Sequence, residues 1–312
     1  MAPVTGSRQN TLVVLLGPTA VGKTELSISL AKLLSCDVIS ADSRQIYKDI
    51  TIGTAKPSVE SMQGVTHHFI DVLPLEQYYS AAQYEQDALR LIDAQFGKGR
   101  YALMVGGSMM YIDAVTKGID DIPTIKPEVR DIMKKRLEIV GLDVLCGELR
   151  LLDPEYYKVV DTKNPKRVVH ALEICYQTGQ TYTSFRKNTM KQRPFRIVKI
   201  GLRRERDNLF ARINERVDQM MRDGLMDEAQ RLYPKRELNS LNTVGYKELF
   251  KVIDGEWQLD MAVARLKKNT RVYAKKQMTW FAHDDEIHWI DVDKLTLAQQ
   301  LEQIIGIVGL EP

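Results

Sequence analysis

The stretch that most restricts this chain is Gly17-x-x-x-x-Gly22-Lys23-Thr24. It follows TLVVLL, Thr11 to Leu16, an apolar run of the kind buried on both faces of a parallel sheet. Helical spacing takes over from about Lys23 to Leu34. Strand, glycine-rich turn and helix in that order make a phosphate-binding loop. Backbone N–H groups converge on the anion, and the helix N-terminus adds positive potential. Lys23 supplies a point charge and Thr24 a hydroxyl for Mg²⁺. The candidate phosphate ligands are therefore Gly17, Pro18, Thr19, Ala20, Val21, Gly22, Lys23 and Thr24, with Thr24 also the candidate metal ligand.

Further short apolar runs, CDVIS from Cys36, YALMV from Tyr101, RIVKIGL from Arg196 and EIHWI from Glu286, predict additional strands. Helical patterns between them, at Tyr79 to Phe96, Arg206 to Gly224 and Met261 to Ala282, predict an α/β fold with a parallel sheet. The texture changes after Gly118, where prolines punctuate helical stretches and strand-like runs become scarce. The division predicted is a core of residues 1–117 and 196–312, with a mostly helical insertion at 118–195. The net charge is only +3, yet ten Lys and Arg lie between Lys158 and Lys199 against two acids, Asp161 and Glu173. A basic segment in an otherwise net-acidic chain suits a polyanionic partner as well as a solvated face. Cys36, Cys146 and Cys175 are too scattered for a disulfide framework or a zinc site. They fit a reducing, cytoplasmic setting. The N-terminal MAPVTGSRQN has no apolar signal segment, and no run is long and apolar enough to span a membrane.

An intact phosphate loop does not require a nucleoside triphosphate. A hydrolytic relative wants an apolar strand ending in Asp to place Mg²⁺; here YALMV ends in Gly106-Gly107-Ser108. A diphosphate offers the same charged oxygens. Beyond the second strand lies Asp42-Ser43-x-Gln45-x-Tyr47, at the sheet edge where ligands bind in parallel α/β folds. Asp42 there is either a proton acceptor or a turn cap.

The segments GPTAVGKT, ADSRQIYKDITIGTAKP, THHFIDV, YSAAQYEQDA, VGGSMMY, ARINERVDQMMRDGLMDEA, TVGYKE and RVYAKKQMTWF occur in this order, from about Leu15 to Trp289. Together they resemble the tRNA dimethylallyltransferases, also called tRNA isopentenyltransferases, of bacterial type. The resemblance implies a P-loop NTPase-like core with a helical tRNA-binding insertion. It implies transfer of a dimethylallyl group from dimethylallyl diphosphate to N6 of the adenosine just 3′ of the anticodon, with Mg²⁺ and no ATP consumed. Asp42 would take the N6 proton, Ser108 would donate to the bridging oxygen, and Arg216 would clamp the diphosphate held in the loop. The implied contacts to the anticodon stem-loop of tRNA are Asp42, Ser43, Arg44, Gln45, Ser108, Arg130, Lys166, Arg167, His170, Gly245 and Lys247.

On residue type alone, Arg212 and Arg216 read as a solvated face, and His67 and His68 as packing or turn residues. Lys267, Arg271 and Lys275 share a helical face and read as a basic stripe toward a phosphate backbone, with Tyr273 and Trp280 in the core. Departures from the family pattern are Ser108 where Thr is usual, Val21 where a small polar residue is common, and His170 where Arg is usual. The competing readings are a P-loop kinase that spends ATP on a small molecule, a non-catalytic RNA-binding module, and a prenyltransferase acting on free adenine nucleotides. A monomer is expected.

Overall fold

The computed structural model describes residues 9–187 and 190–310. Residues 1–8, most of the segment read above as lacking a signal sequence, lie outside the described residues. Six parallel strands form one sheet: β1 Thr11–Leu16, β2 Val38–Ala41, β3 His67–His68, β4 Tyr101–Gly106, β5 Arg196–Arg203 and β6 Ile287–Asp291. Their order across the sheet is β3-β2-β4-β1-β5-β6. Five were legible as apolar runs. The edge strand β3, two residues of histidine, is too short for any periodicity to reveal.

The side chains of β1 alternate between the two faces of the sheet. Leu12, Val14 and Leu16 enter one core with Tyr84, Ala88 and Ile92 of the helix Ala81–Phe96. Val13 and Leu15 enter the other, with Leu26, Leu30 and Leu34 of the helix Lys23–Leu34. That is why the run is apolar without interruption: both faces are covered.

Register decides what the sheet presents at its carboxyl edge. Gly106 is paired with Leu16 of β1 and with Ala41 of β2. The next residues in the three chains, Gly17, Gly107 and Asp42, therefore leave the sheet side by side. A Cβ on Gly106 would stand 2.1 Å from the carbonyl oxygen of Ala41, so only glycine permits this approach.

The chain divides into two compact units, one holding the sheet and the other comprising Lys117–Lys191. The second is helical: Pro127–Leu152, Pro154–Val159, Pro165–Thr178 and Tyr182–Phe185. Pro127, Pro154 and Pro165 each begin a helix, where a missing N–H costs nothing. Its core is Met133, Leu145, Leu149, Val168 and Leu172. Gly141, at φ 79°, interrupts the long first helix. Residues 192–195 belong with the sheet. Arg193 donates to the carbonyls of Val115 (2.8 Å) and Ala114 (2.9 Å) and pairs with Glu85 at 2.7 Å, while Phe195 packs on Phe96. No helix among the described residues is long and apolar enough to cross a membrane.

Gly106→Ala is expected to lower stability by about 3 kcal/mol, because the added methyl meets backbone that has nowhere to move. Denaturant unfolding with an unchanged slope measures this. A loss below about 0.5 kcal/mol would mean that β2 and β4 do not abut as described.

Candidate active site

The phosphate loop is shaped from outside itself. Gly22, at φ 114°, caps the helix Lys23–Leu34, and Gly17 lies so close to β5 that a Cβ would stand 2.8 Å from the carbonyl of Leu202. Ala20 adopts φ 64°, unusual for a residue with a side chain. Its carbonyl accepts from Arg212 Nε (3.1 Å), and that of Val21 accepts from Arg204 Nε (2.9 Å). Gln277, on the helix Leu259–Phe281, accepts from the N–H of Thr19 (3.0 Å) and donates to the carbonyl of Gly107 (2.8 Å). One buried amide thus joins the loop to the end of β4.

Positive charge is concentrated here. Lys23 Nζ donates to the carbonyls of Gly17 and Pro18, both at 2.8 Å. Burial, reinforced by the nearby Arg216 guanidinium, lowers its pKa to about 7, while Asp42 opposes the shift. Arg216, on the helix Arg206–Arg222, donates to Thr19 Oγ1 at 3.2 Å. Burial lowers its pKa as well, and Asp42 again counteracts. Among the described residues only the Asp42 carboxylate opposes these two half-buried cations, and such an excess of positive charge is the electrostatic condition of an anion site.

Asp42 forms the turn cap its sequence context allowed. Its Oδ1 accepts from the N–H of Arg44 (2.9 Å) and of Gln45 (3.2 Å), closing the turn after β2. Its other oxygen is left for the cavities that flank it. There are two, of about 600 and 540 Å³. They share one wall: Thr19, Ala20, Asp42, Arg216 and Tyr273. The first contains Gly22, Lys23, Thr24 and Arg212. The second contains Ser43, Arg44, Ser108, Gly245 and Lys247. A phosphate ligand in the first and a nucleophile in the second would meet at Asp42.

Several predicted residues carry structural duties as well. Ser108 is buried, its N–H bonded to the Ala41 carbonyl at 3.0 Å, and it opens the helix Met109–Thr116. Arg44 Nη1 donates to the carbonyls of Asn239 (3.0 Å) and Ser240 (3.1 Å). Gln45 Nε2 donates to those of Thr54 (3.0 Å) and Ala55 (3.1 Å), which turns its Oε1 the other way. In the helical unit, Arg130 (3.9 Å) and His170 (3.3 Å) converge on the buried carboxylate of Glu173. Lys166 and Arg167 are exposed in the first turn of Pro165–Thr178. His68 bonds Asp37 at 3.0 Å, and the described residues hold no cluster of three or more His, Cys, Asp or Glu able to seat a metal.

Two expectations are corrected. Lys267, Arg271 and Lys275 do not form a free stripe. Lys267 pairs with Asp218, Arg271 donates to Asn214 at 2.5 Å, and Arg271 and Lys275 lie over the ring of Phe210. A helical wheel finds a shared face but not the helix packed against it. Nor are Tyr273 and Trp280 core residues, at 37% and 45% exposed. Trp280 bonds Asp113 at 2.8 Å, and Tyr273 borders both cavities, its phenol pushed up to about 12 by burial and then by Asp42. Gln277 and Tyr273 went unrecognised because a glutamine and a tyrosine on a basic helix carry no chemical signature of their own.

A family model described as IPP transferase matches residues 45–284, a span that begins just after Asp42. The chain is 59% identical over 291 residues to tRNA dimethylallyltransferase 1 of Phocaeicola vulgatus, covering 93% of this chain and 97% of that one. It is 58% identical over 279 residues to tRNA dimethylallyltransferase 1 of Bacteroides fragilis, covering 89% and 93%. Among solved structures, the tRNA isopentenylpyrophosphate transferase of Bacillus halodurans superposes with a TM-score of 0.72 at 37% identity, over 96% of each chain. A eukaryotic dimethylallyltransferase described as acting on tRNA superposes at 0.80 and 25% identity, over 96% of this chain and 79% of that one.

A Lys23 pKa near 7 has a measurable consequence. Above that pH the free amine is largely neutral, whereas a bound polyanion favours the ammonium. Pyrophosphate binding at pH 8 should therefore take up roughly one proton more in the wild type than in Lys23→Met, and the difference should vanish near pH 5.5. Calorimetry in buffers of different ionisation heat measures it. Equal uptake at pH 8 would show that Lys23 is charged before the ligand arrives.

Proposed function

The chain belongs to the IPP transferase family, and from that premise we propose that it transfers a dimethylallyl group from dimethylallyl diphosphate to N6 of the adenosine immediately 3′ of the anticodon in tRNA. The observation that carries this reading is the shared wall. A phosphate cradle and a carboxylate stand at the junction of two cavities, one rich in phosphate ligands and the other open to a base.

The donor's diphosphate lies in the first cavity on the loop amides, Lys23 and Arg216, with its allylic carbon toward Asp42. As the C–O bond breaks, charge grows on the departing diphosphate, and these fixed donors stabilise it. Ser108, at the junction of β4 with the following helix, donates its hydroxyl to the bridging oxygen. The adenosine, swung out of the anticodon loop, enters the second cavity and presents N6 to the allylic carbon. Asp42 accepts the N6 proton through the oxygen not used by the turn. Ser43, Arg44, Gly245 and Lys247 hold the base and its neighbours from the second cavity and Gln45 from the first, and Arg130, Lys166, Arg167 and His170 hold the RNA backbone.

Thr24 suits a hard cation. It offers one hydroxyl in the cavity that would hold the diphosphate, and Mg²⁺ readily takes its other ligands from phosphate oxygens and water. When bound, Mg²⁺ supplies neutralising charge on the leaving diphosphate. The chain acts as a monomer in the cytoplasm. The ATP-dependent kinase reading is not favoured, since the named relatives are transferases acting on tRNA.

Labelled dimethylallyl diphosphate, Mg²⁺ and unmodified tRNA transcript should give labelled tRNA without ATP, and nucleoside mass spectrometry should place the added mass on adenosine. Asp42→Asn should lower kcat by about 100-fold or more while tRNA still binds. Unlabelled tRNA with wild-type enzyme would refute the transferase reading; near-normal turnover by the variant would remove only Asp42 from its role.

A further inference from the structure

A buried carboxylate stands behind the base-binding side of the site. Glu228, on the helix Leu225–Leu232, is 2% exposed. Its Oε2 accepts from the N–H groups of Thr51 (3.0 Å) and Ile52 (2.9 Å). Its Oε1 accepts from the N–H of Gly53 (2.9 Å) and from the hydroxyl of Tyr246 (2.7 Å). Three successive amides turned to one point form an anion-binding concavity, and here the protein fills it with its own side chain. Tyr246 is fully buried and lies against Gly53, where a Cβ would come within 2.6 Å of its ring.

This carboxylate joins two segments of the second cavity's wall. The turn that it holds brings Gly53 and Thr54 to that wall and continues into Ala55; the carbonyls of Thr54 and Ala55 fix the amide of Gln45, which with Ala55 lines the adjoining first cavity. Tyr246 follows Gly245, which lines the same cavity together with Lys247, and whose N–H is held by Glu248 at 2.8 Å. Burying a carboxylate costs free energy that an apolar side chain of equal size would avoid. What the carboxylate adds is orientation: a hydrocarbon would leave three amides without an acceptor and the two carbonyls without a fixed direction.

From this geometry we infer that Glu228 is a positioning residue for base capture: through the 51–55 turn it sets the amide of Gln45, and through Tyr246 it ties that amide to the 243–247 segment. Its target is a purine presented by RNA, so the inference rests on the proposed transferase reading.

The test is a double-mutant cycle on the full chain with tRNA transcript and dimethylallyl diphosphate. Glu228→Gln should lower kcat/KM for tRNA by about tenfold or more. Pyrophosphate affinity should stay within about twofold, because the phosphate loop is held by other side chains. In a Gln45→Ala background the same substitution should cost no more than about twofold, since the group it orients is gone. A full cost in that background, or an equal loss of pyrophosphate affinity, would make Glu228 a general stabiliser and overturn the inference. If Glu228→Gln does not fold, Tyr246→Phe, which removes only the hydroxyl on the carboxylate, takes its place in the cycle with a smaller expected loss of about threefold, and additivity there overturns it equally. Wild-type enzyme without turnover would remove the transferase reading and this inference together. Wild-type turnover matched by undiminished variant turnover would remove only the inference.

Discussion

The site depends on the close approach of three strand ends. Pairing Gly106 with both Leu16 and Ala41 brings Gly17, Gly107 and Asp42 to one edge. A side chain at Gly106 would push β2 from β4, and with it the carboxylate from the phosphate loop. The glycine that replaces the acidic strand end of a nucleotide hydrolase is thus a steric requirement of this arrangement. The space goes to a backbone contact, and the carboxylate beside the phosphate loop, Asp42, arrives from the neighbouring strand.

Electrostatics follows from that geometry. Lys23 and Arg216 are packed where burial disfavours both charges, Arg216 further disfavours Lys23 and Arg212 further disfavours Arg216, with Asp42 as the partial counterweight. A polyanion entering such a place finds donors already aimed. Fixing the donors costs stability, and the cost is spread over distant elements: Gln277, Arg204 and Arg212 hold the loop from chain segments far downstream.

The helical unit illustrates how formal charge misleads. Of the ten cations from Lys158 to Lys199, Arg193, Arg196 and Lys199 belong to the sheet unit, and Glu173, one of the two opposing acids, is buried and gathers Arg130 and His170 about itself. Lys166 and Arg167 keep their charges in solvent. A count of residues sees the excess; only packing sorts cations that are already partnered from those free to meet phosphate.

The sequence by itself determined five of the sheet's six strands, the phosphate loop and the position of Asp42 after β2, because burial on both faces and glycine-rich turns leave local patterns that need no partner to be read. It also determined the family, through motifs spread from about Leu15 to Trp289. Only the tertiary structure decided that Tyr273 borders both cavities, that Gln277 braces the loop, that Lys267, Arg271 and Lys275 pack against a helix, and that Glu228 accepts from three backbone amides. Those roles join residues remote along the chain, and a side chain's periodicity shows which way it points from its own helix but not what waits on the other side.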